Sequence, residues 1–444
     1  MIAPARVAAF RVLQAVGHGD AQPAALLARE HQKQADPRDR ALATEIVIGT
    51  LRWQRALDAA IAVAATRSVE SLDRDVAIIL RLSLYQLQHL DRVPAAAVVD
   101  DAVSLARGAL GARATGFVNA VLRTLSRTRD HLGLPPRPGP DATREAMLAY
   151  LGVTQSHPDW LAARWLDRYG FEHAAAWTAF NNTPPAVTLR ANRLVISRDD
   201  LRRELAAEHL ETVCTTYAPD GLIVQSGRLP PARGRFTVQD ESSQLVPLLL
   251  EARPGDTVLD LCASPGGKAT ALAAEMQGRG LVVACDARAR RMRLLAQTVR
   301  ESGAPNIRLV QVGAREEVPF QPVFSRVLVD APCSGVGTVR RDPDIRWRRS
   351  ESQLTEFAAN QRVLLHRAAR AVAPGGRLVY ATCSSEPEEN EAVVEGFLAS
   401  HPEFALVPAG GPLAAVADAR GMLRTLPFAH GLEAFFAAAL VRRG

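Results

Sequence analysis

The 444-residue chain is predicted to be multidomain: an all-α N-terminal bundle, a small α+β domain and a C-terminal α/β domain on a parallel sheet. Three features lead there. Apolar residues recur at helical spacing over the first 130 or so positions. The run Leu134-Pro-Pro-Arg-Pro-Gly-Pro140 then breaks that pattern, since proline and glycine exclude helix and favour a stiff extended linker. From about residue 240 onward, strand-like runs, glycine turns and helical segments alternate, the signature of crossover connections in a parallel, doubly wound sheet.

Taken in order, the first helix spans Ala3 to Val16, with proline in its first turn. Ser71-Leu-Asp-Arg-Asp75 reads as the start signal for the apolar run Val76 to Leu87, Pro94 opens another helix, and Thr115 begins the last of the bundle. The expected division is residues 1–132 for the bundle, 133–144 for the linker, 145–240 for the small domain and 241–444 for the α/β domain. The small domain mixes helices at Trp160 to Tyr169 and Arg198 to Glu208 with strands at Ala186 to Leu189 and Leu222 to Val224. In the last domain the expected strands are 257–261, 281–285, 307–312, 325–330 and 377–382, and the tail Leu432 to Leu440 reads as an edge strand or a short helix, with the strand favoured.

Composition narrows the class. The net charge of +6 is modest, and nearly all the basic charge is arginine, which suits bidentate phosphate contacts and stacking on bases. The five cysteines (Cys214, Cys262, Cys285, Cys333 and Cys383) are odd in number and contain no C-x-x-C pair, which argues against a disulfide framework and a cysteine zinc site. No metal is expected. Neither a signal-peptide core nor a bilayer-length apolar run is present, so a reducing cytoplasm is the expected setting.

Chemistry concentrates in the last domain. Leu259-Asp-Leu-Cys-Ala-Ser-Pro-Gly-Gly-Lys268 ends a strand and opens a helix, and glycines there let backbone pass close to a ligand. A P-loop would need glycine where Cys262 stands and Ser or Thr where Ala269 stands, and no dinucleotide G-x-G-x-x-G is present. Asp286 ends the next strand, placed to accept from ribose hydroxyls or, more plainly, to cap the following helix. A nucleoside cofactor without a pyrophosphate fits this pair, which means S-adenosylmethionine.

Asp330 and Cys333 follow the fourth strand of this domain and Cys383 the fifth, so strand ends bring them toward one site. Two placed thiols beside such a cofactor suit methylation of cytosine C5. A thiolate adding at C6 turns the ring into an enamine whose C5 can attack a sulfonium methyl. Asp330 is the candidate to hold the N3 edge of the pyrimidine. Cys214, Cys262 and Cys285 are read as small core residues.

These segments resemble the RNA cytosine-C5 methyltransferases, and more closely the bacterial small-subunit (16S) ribosomal RNA methyltransferase B type. The resemblance runs through Ile48-Gly-Thr-Leu-Arg52, Arg81 to Gln86, Gly116 to Arg123, Val238 to Gln244, the Pro-Gly-Gly-Lys loop, Asp-Ala-Pro-Cys-Ser-Gly, Arg340 to Trp347 and Tyr-Ala-Thr-Cys-Ser, covering nearly the whole chain. It implies that the helical domain is NusB-like and the last domain a Rossmann-like, S-adenosylmethionine-dependent methyltransferase. It implies further that Cys383 is the nucleophile and Cys333 helps release the product, the reverse of DNA cytosine methyltransferases, whose Pro-Cys cysteine attacks. Carried over by motif, the cofactor positions are Cys262, Ala263, Ser264, Pro265, Gly266, Gly267, Lys268, Asp286 and Asp330. The chain departs from the family near Gly313, where an aspartate beside the cofactor adenine is usual; Glu316 or Glu317 is the nearest substitute.

For RNA contact the sequence offers two arginine groups: Arg288, Arg290, Arg291 and Arg293, and a second, Arg340, Arg341, Arg346, Arg348 and Arg349, around Trp347. A cationic, aromatic rim suits phosphate contact and base stacking. The expected partner is 16S ribosomal RNA or a small-subunit precursor, bound by a monomer, with the target cytosine flipped from its stack. The alternatives are a 5-methylcytosine methyltransferase for another RNA such as tRNA, or a catalytically decayed RNA-binding factor of the antitermination kind.

Overall fold

The computed structural model describes residues 2–19, 22–129, 131–313 and 318–444, so Glu316 and Glu317 lie outside the described residues. Contacts divide the chain into two compact units: Met1–Thr183 with Val339–Arg348, and Pro184–Thr338 with Arg349–Gly444. Residues 145–183 thus group with the helical bundle, and a ten-residue segment following Cys333 groups there too.

The first unit is helical: α1 (Pro4–Gly17), α2 (Pro23–His31), α3 (Pro37–Arg52), α4 (Gln54–Ala65), α5 (Arg74–His89), α6 (Ala95–Leu110), α7 (Ala112–Arg127), α8 (Arg144–Ala149) and α9 (Asp159–Asn182). Their starts are encoded locally. Proline opens α1, α2 and α3, and the Asp73 carboxylate accepts the Asp75 N–H at 2.8 Å to cap α5. Apolar stripes of α1 to α7 then fill a shared core around Ile46, Ile61, Ile79, Leu80, Leu84 and Leu122.

In the second unit, β1 (Thr188–Ala191), α10 (Arg198–Ala207), β2 (Glu211–Cys214), β3 (Gly221–Ser226) and β4 (Phe236–Val238) form an antiparallel sheet of order β2-β3-β1-β4. Next come α11 (Glu241–Leu248), β5 (Thr257–Asp260), α12 (Gly267–Glu275), β6 (Leu281–Asp286), α13 (Ala289–Ser302), β7 (Ile307–Gln311) and β8 (Phe324–Asp330). After α14 (Ile345–Arg348) in the first unit, the chain continues with α15 (Gln353–Ala369), β9 (Val372–Thr382), α16 (Glu391–Ser400), β10 (Phe404–Val407), β11 (Leu423–Arg424) and β12 (Phe436–Arg442). The large sheet has the order β10-β12-β9-β8-β5-β6-β7, with β11 paired to β12.

Strands β5 to β9 are parallel as expected, but β12 runs antiparallel to both β9 and β10. The sheet is therefore mixed, and the tail is an interior strand rather than an edge. Its residues Phe436 to Leu440 are all buried, and an apolar strand on both faces is stable only with neighbours on either side and layers above and below. Those layers follow the strand alternation. Val258, Val282, Leu328 and Val379 face a core with Leu245 and Leu272; Leu259, Val327, Val329 and Tyr380 face one with Leu365 and Phe397.

Strand β5 sits between β6 and β8, so the direction of crossover reverses there. Such a switch point opens a crevice beyond the carboxyl ends of the two strands. Asp260 ends β5 and Asp330 ends β8.

Candidate active site

The turn after β5 is built for close approach. Gly266 caps α12 at φ 114°, a left-handed conformation that side chains rarely adopt, and a Cβ there would lie 3.0 Å from Leu295 and Thr298. From β1 the buried Arg190 reaches into the same turn: its guanidinium donates to the Gly267 carbonyl and to Thr270 Oγ1 at 2.9 Å. Arg190 belongs to the small sheet, and no sequence motif marked it.

Two carboxylates and an ammonium lie at the switch point. Lys268 Nζ is 2.6 Å from Asp330 Oδ2. Burial pulls the Lys268 ammonium down, but the attraction of Asp330 outweighs it, Cys383 adds to the effect, and the group ends above its ordinary value. Asp260 is fully buried, and neither of its oxygens has a hydrogen-bond partner. Burial, reinforced by repulsion from Asp330, pushes its carboxyl up to about 7, with the Lys268 ammonium opposing.

This has a consequence for stability. A carboxyl whose folded-state value lies above its unfolded one disfavours folding once it ionises. The penalty is absent below the ordinary carboxyl range, grows as pH rises toward 7 and is complete above it. Asp260→Asn is therefore expected to stabilise the ligand-free protein, by roughly 1 kcal/mol more at about pH 8.5 than at about pH 6 in urea unfolding. An equal gain at both pH values would show that the carboxylate is not the source.

Asp286 ends β6 and is 5% exposed. Its Oδ1 accepts the Arg288 N–H at 3.1 Å and its Oδ2 lies 3.7 Å from Arg291. It thus shapes the entry to α13, which leaves one oxygen turned toward a cation. Burial pushes the Cys262 and Cys285 thiols up, so both are inert sulfurs. Gly313 follows β7.

The two strand-end cysteines meet. Cys333 Sγ and Cys383 Sγ are 3.0 Å apart, with one donating to the other. The hydrogen bond with Cys383, then burial, holds the Cys333 thiol well above its ordinary value. Their loops approach backbone to backbone at Gly337, whose N–H donates to the Cys383 carbonyl at 3.0 Å; a Cβ there would fall 2.0 Å from the Ala434 carbonyl oxygen. Chain separation is 50 residues, and only the parallel pairing of β8 with β9 brings the pair together.

One expected RNA contact is corrected. Arg346 is fully buried, and its guanidinium donates to the Ser156 carbonyl at 2.9 Å and Asn182 Oδ1 at 3.1 Å, with longer bonds to the Arg52, Asn181 and Val339 carbonyls. Burial pushes it down to about 9, and it serves as an internal tie of the first unit rather than a phosphate contact. Trp347 is partly buried, its indole N–H donating to the Leu51 carbonyl at 2.7 Å. Arg340 donates to the Thr183 carbonyl and lies 4.2 Å over the Phe180 ring, and Arg341 is partly exposed. By contrast Arg288, Arg290, Arg291 and Arg293 are exposed at the start of α13. Cations there oppose the helix dipole, so helix stability does not explain them.

Known proteins are similar to this chain in sequence and fold. The family model of the 16S rRNA methyltransferase RsmB/F matches residues 247–441, the NusB family model residues 3–127, and the RsmF/B-like ferredoxin-like domain residues 157–228. A probable ribosomal RNA small subunit methyltransferase B of Synechocystis sp. is 35% identical, over 98% of this chain and 99% of its own length. Ribosomal RNA small subunit methyltransferase B of Pseudomonas syringae pv. tomato is 35% identical over 89% of this chain and 86% of its own. The crystal structure of PH0851 superposes with a TM-score of 0.81 at 27% identity, covering 99% of each chain. Fold and site define a methyltransferase with a Rossmann-like, S-adenosylmethionine-dependent domain. By its relatives, the chain belongs to the RsmB/F family of 16S rRNA methyltransferases.

Proposed function

We propose that the protein transfers a methyl group from S-adenosylmethionine to C5 of a cytosine in small-subunit ribosomal RNA, through a covalent bond between Cys383 and C6 of the base. The observation that carries this reading is the thiol pair, 3.0 Å apart at the ends of adjacent strands and beside the Lys268–Asp330 ion pair.

The residues at the switch point fit the cofactor. The buried Asp260 oxygens lack partners, and a carboxylate in that state suits a cationic ligand. Cys262 through Lys268, Asp286 and Asp330 would hold it. When bound, S-adenosylmethionine supplies an electrophilic methyl.

The protein's own groups do the rest. The Cys383 thiolate adds to C6, and the electron pair of the C5–C6 double bond moves toward C5. Lys268 is the cation that a thiolate there needs, and Asp330 can orient the base through its N3 edge. After C5 is alkylated, its proton must leave and the C6–S bond must break, returning the pair to sulfur. Cys333 lies where that proton can be received once its own thiol has given up its proton to solvent. The exposed arginines of α13 supply phosphate contacts, and Arg340, Arg341 and Trp347 remain candidates for a lesser share.

Incubation with unmodified 16S rRNA and with a 30S precursor, followed by nucleoside analysis, tests the proposal. Label in 5-methylcytosine is expected. Label in another nucleoside would overturn the C5 chemistry, and label only in another RNA such as tRNA would move the substrate.

A further inference from the structure

We infer that Glu389 is a positioning residue for the thiol pair: its buried carboxylate joins the loop of Cys333 to the loop of Cys383 and sets the separation of the two sulfurs. The inference rests on the thiol-pair reading above and extends it to a residue outside the reacting atoms.

Glu389 is wholly buried, in the segment between β9 and α16. Oε1 accepts the backbone N–H of Ser334 at 2.8 Å and Gln361 Nε2 at 3.0 Å. Oε2 accepts the hydroxyls of Ser334 and Ser384, each at 2.5 Å. Ser334 directly follows Cys333, and Ser384 directly follows Cys383. One carboxylate therefore holds the residue after each thiol. Gln361, from α15, also donates to the Pro332 carbonyl at 3.1 Å, so the Cys333 loop is gripped on both sides of its sulfur. Asn390 completes the clamp on the other loop: its Nδ2 donates to the Ser384 carbonyl at 3.0 Å, and its Oδ1 accepts the Thr382 hydroxyl at 2.5 Å.

Four donors converge on two oxygens, which an ionised carboxylate satisfies and no apolar residue of that size can. Burying such a charge is costly, and packing alone would favour an apolar side chain. What the charge adds is direction. Two sulfurs that must act in turn on one base need placement within about half an ångström.

The test uses the full chain and four variants: Glu389→Ala, Glu389→Gln, Ser384→Ala and Cys383→Ala. Two readouts are taken: methyl transfer, split into kcat and the KM for S-adenosylmethionine, and the rate at which diamide captures Cys333 and Cys383 as a disulfide, the reagent taking up both thiol hydrogens. Glu389→Ala is expected to lower kcat about 100-fold with KM changed less than about 3-fold, and to slow capture about 10-fold. Glu389→Gln keeps the shape, and both serine hydroxyls can turn to accept from its amide, so most of kcat and capture should return. If Glu389→Ala does not fold, Ser384→Ala, which deletes one hydroxyl, carries the test with an expected loss of about 10-fold in kcat and a slowed capture.

Wild-type capture rates in Glu389→Ala, or in Ser384→Ala where that variant stands in, would overturn the inference, as would a loss confined to KM. If wild type and Cys383→Ala transfer methyl equally, the thiol reading fails, while capture still reports whether Glu389 sets the sulfur separation.

Discussion

Cys383→Ala is expected to abolish methyl transfer, with a loss of at least about 10⁴-fold, while leaving binding of RNA and cofactor close to wild type. Cytosine C5 is a poor nucleophile until a group adds at C6, so removing that group removes a step rather than slowing it. Folding should survive, because the truncation takes one sulfur from a partly exposed position at the end of β9. The informative rival is Cys333, 3.0 Å away. If Cys333 were the nucleophile, Cys383→Ala would keep its transfer and Cys333→Ala would lose it. Single-turnover transfer to unmodified 16S rRNA with both variants distinguishes the two assignments.

Cys333→Ala is expected to do something different: to complete one methyl transfer and then stall as a covalent protein–RNA adduct. Steady-state turnover should fall by about 10²–10⁴-fold, the range for loss of a proton-transfer group, while the first turnover persists. The adduct would survive denaturing electrophoresis and disappear in the Cys333→Ala/Cys383→Ala double variant. The basis is geometric: Cys333 sits against the attacking sulfur, 3.0 Å away. An adduct that forms with Cys383→Ala instead would reverse the roles.

Much of this site is legible in the amino-acid sequence. The strands ending at Asp260, Asp286, Asp330 and Thr382 follow short apolar runs closed by turns, and the Pro-Gly-Gly-Lys turn marks the ligand edge of the sheet. Cys333 and Cys383 stand out because each follows such a strand. The misreading of Arg346 has a plain cause. A run of arginines around a tryptophan looks the same in sequence whether it faces solvent or carbonyl oxygens, and only burial separates the two. Glu389 was hidden for the opposite reason: within Glu386-Pro-Glu-Glu-Asn-Glu391 it reads as one acid among several on a solvated turn. Asp260 lay inside the strand expected over 257–261, and nothing local announced that its carboxylate is buried.

The sequence by itself determined the elements, the order of the domains and the chemical identity of the reacting groups, because strand alternation, helix starts and glycine turns are short-range properties of the chain. Tertiary structure decided which of those groups meet. The pairing of β8 beside β9 converts a separation of 50 residues into 3.0 Å between sulfurs. The reversal of strand order at β5 sets Asp260 and Asp330 on either side of one crevice. Burial then assigned each charge its task, leaving the α13 arginines exposed and turning Arg346 and Glu389 inward, since only a folded interior can make a charged group depend on a few fixed partners.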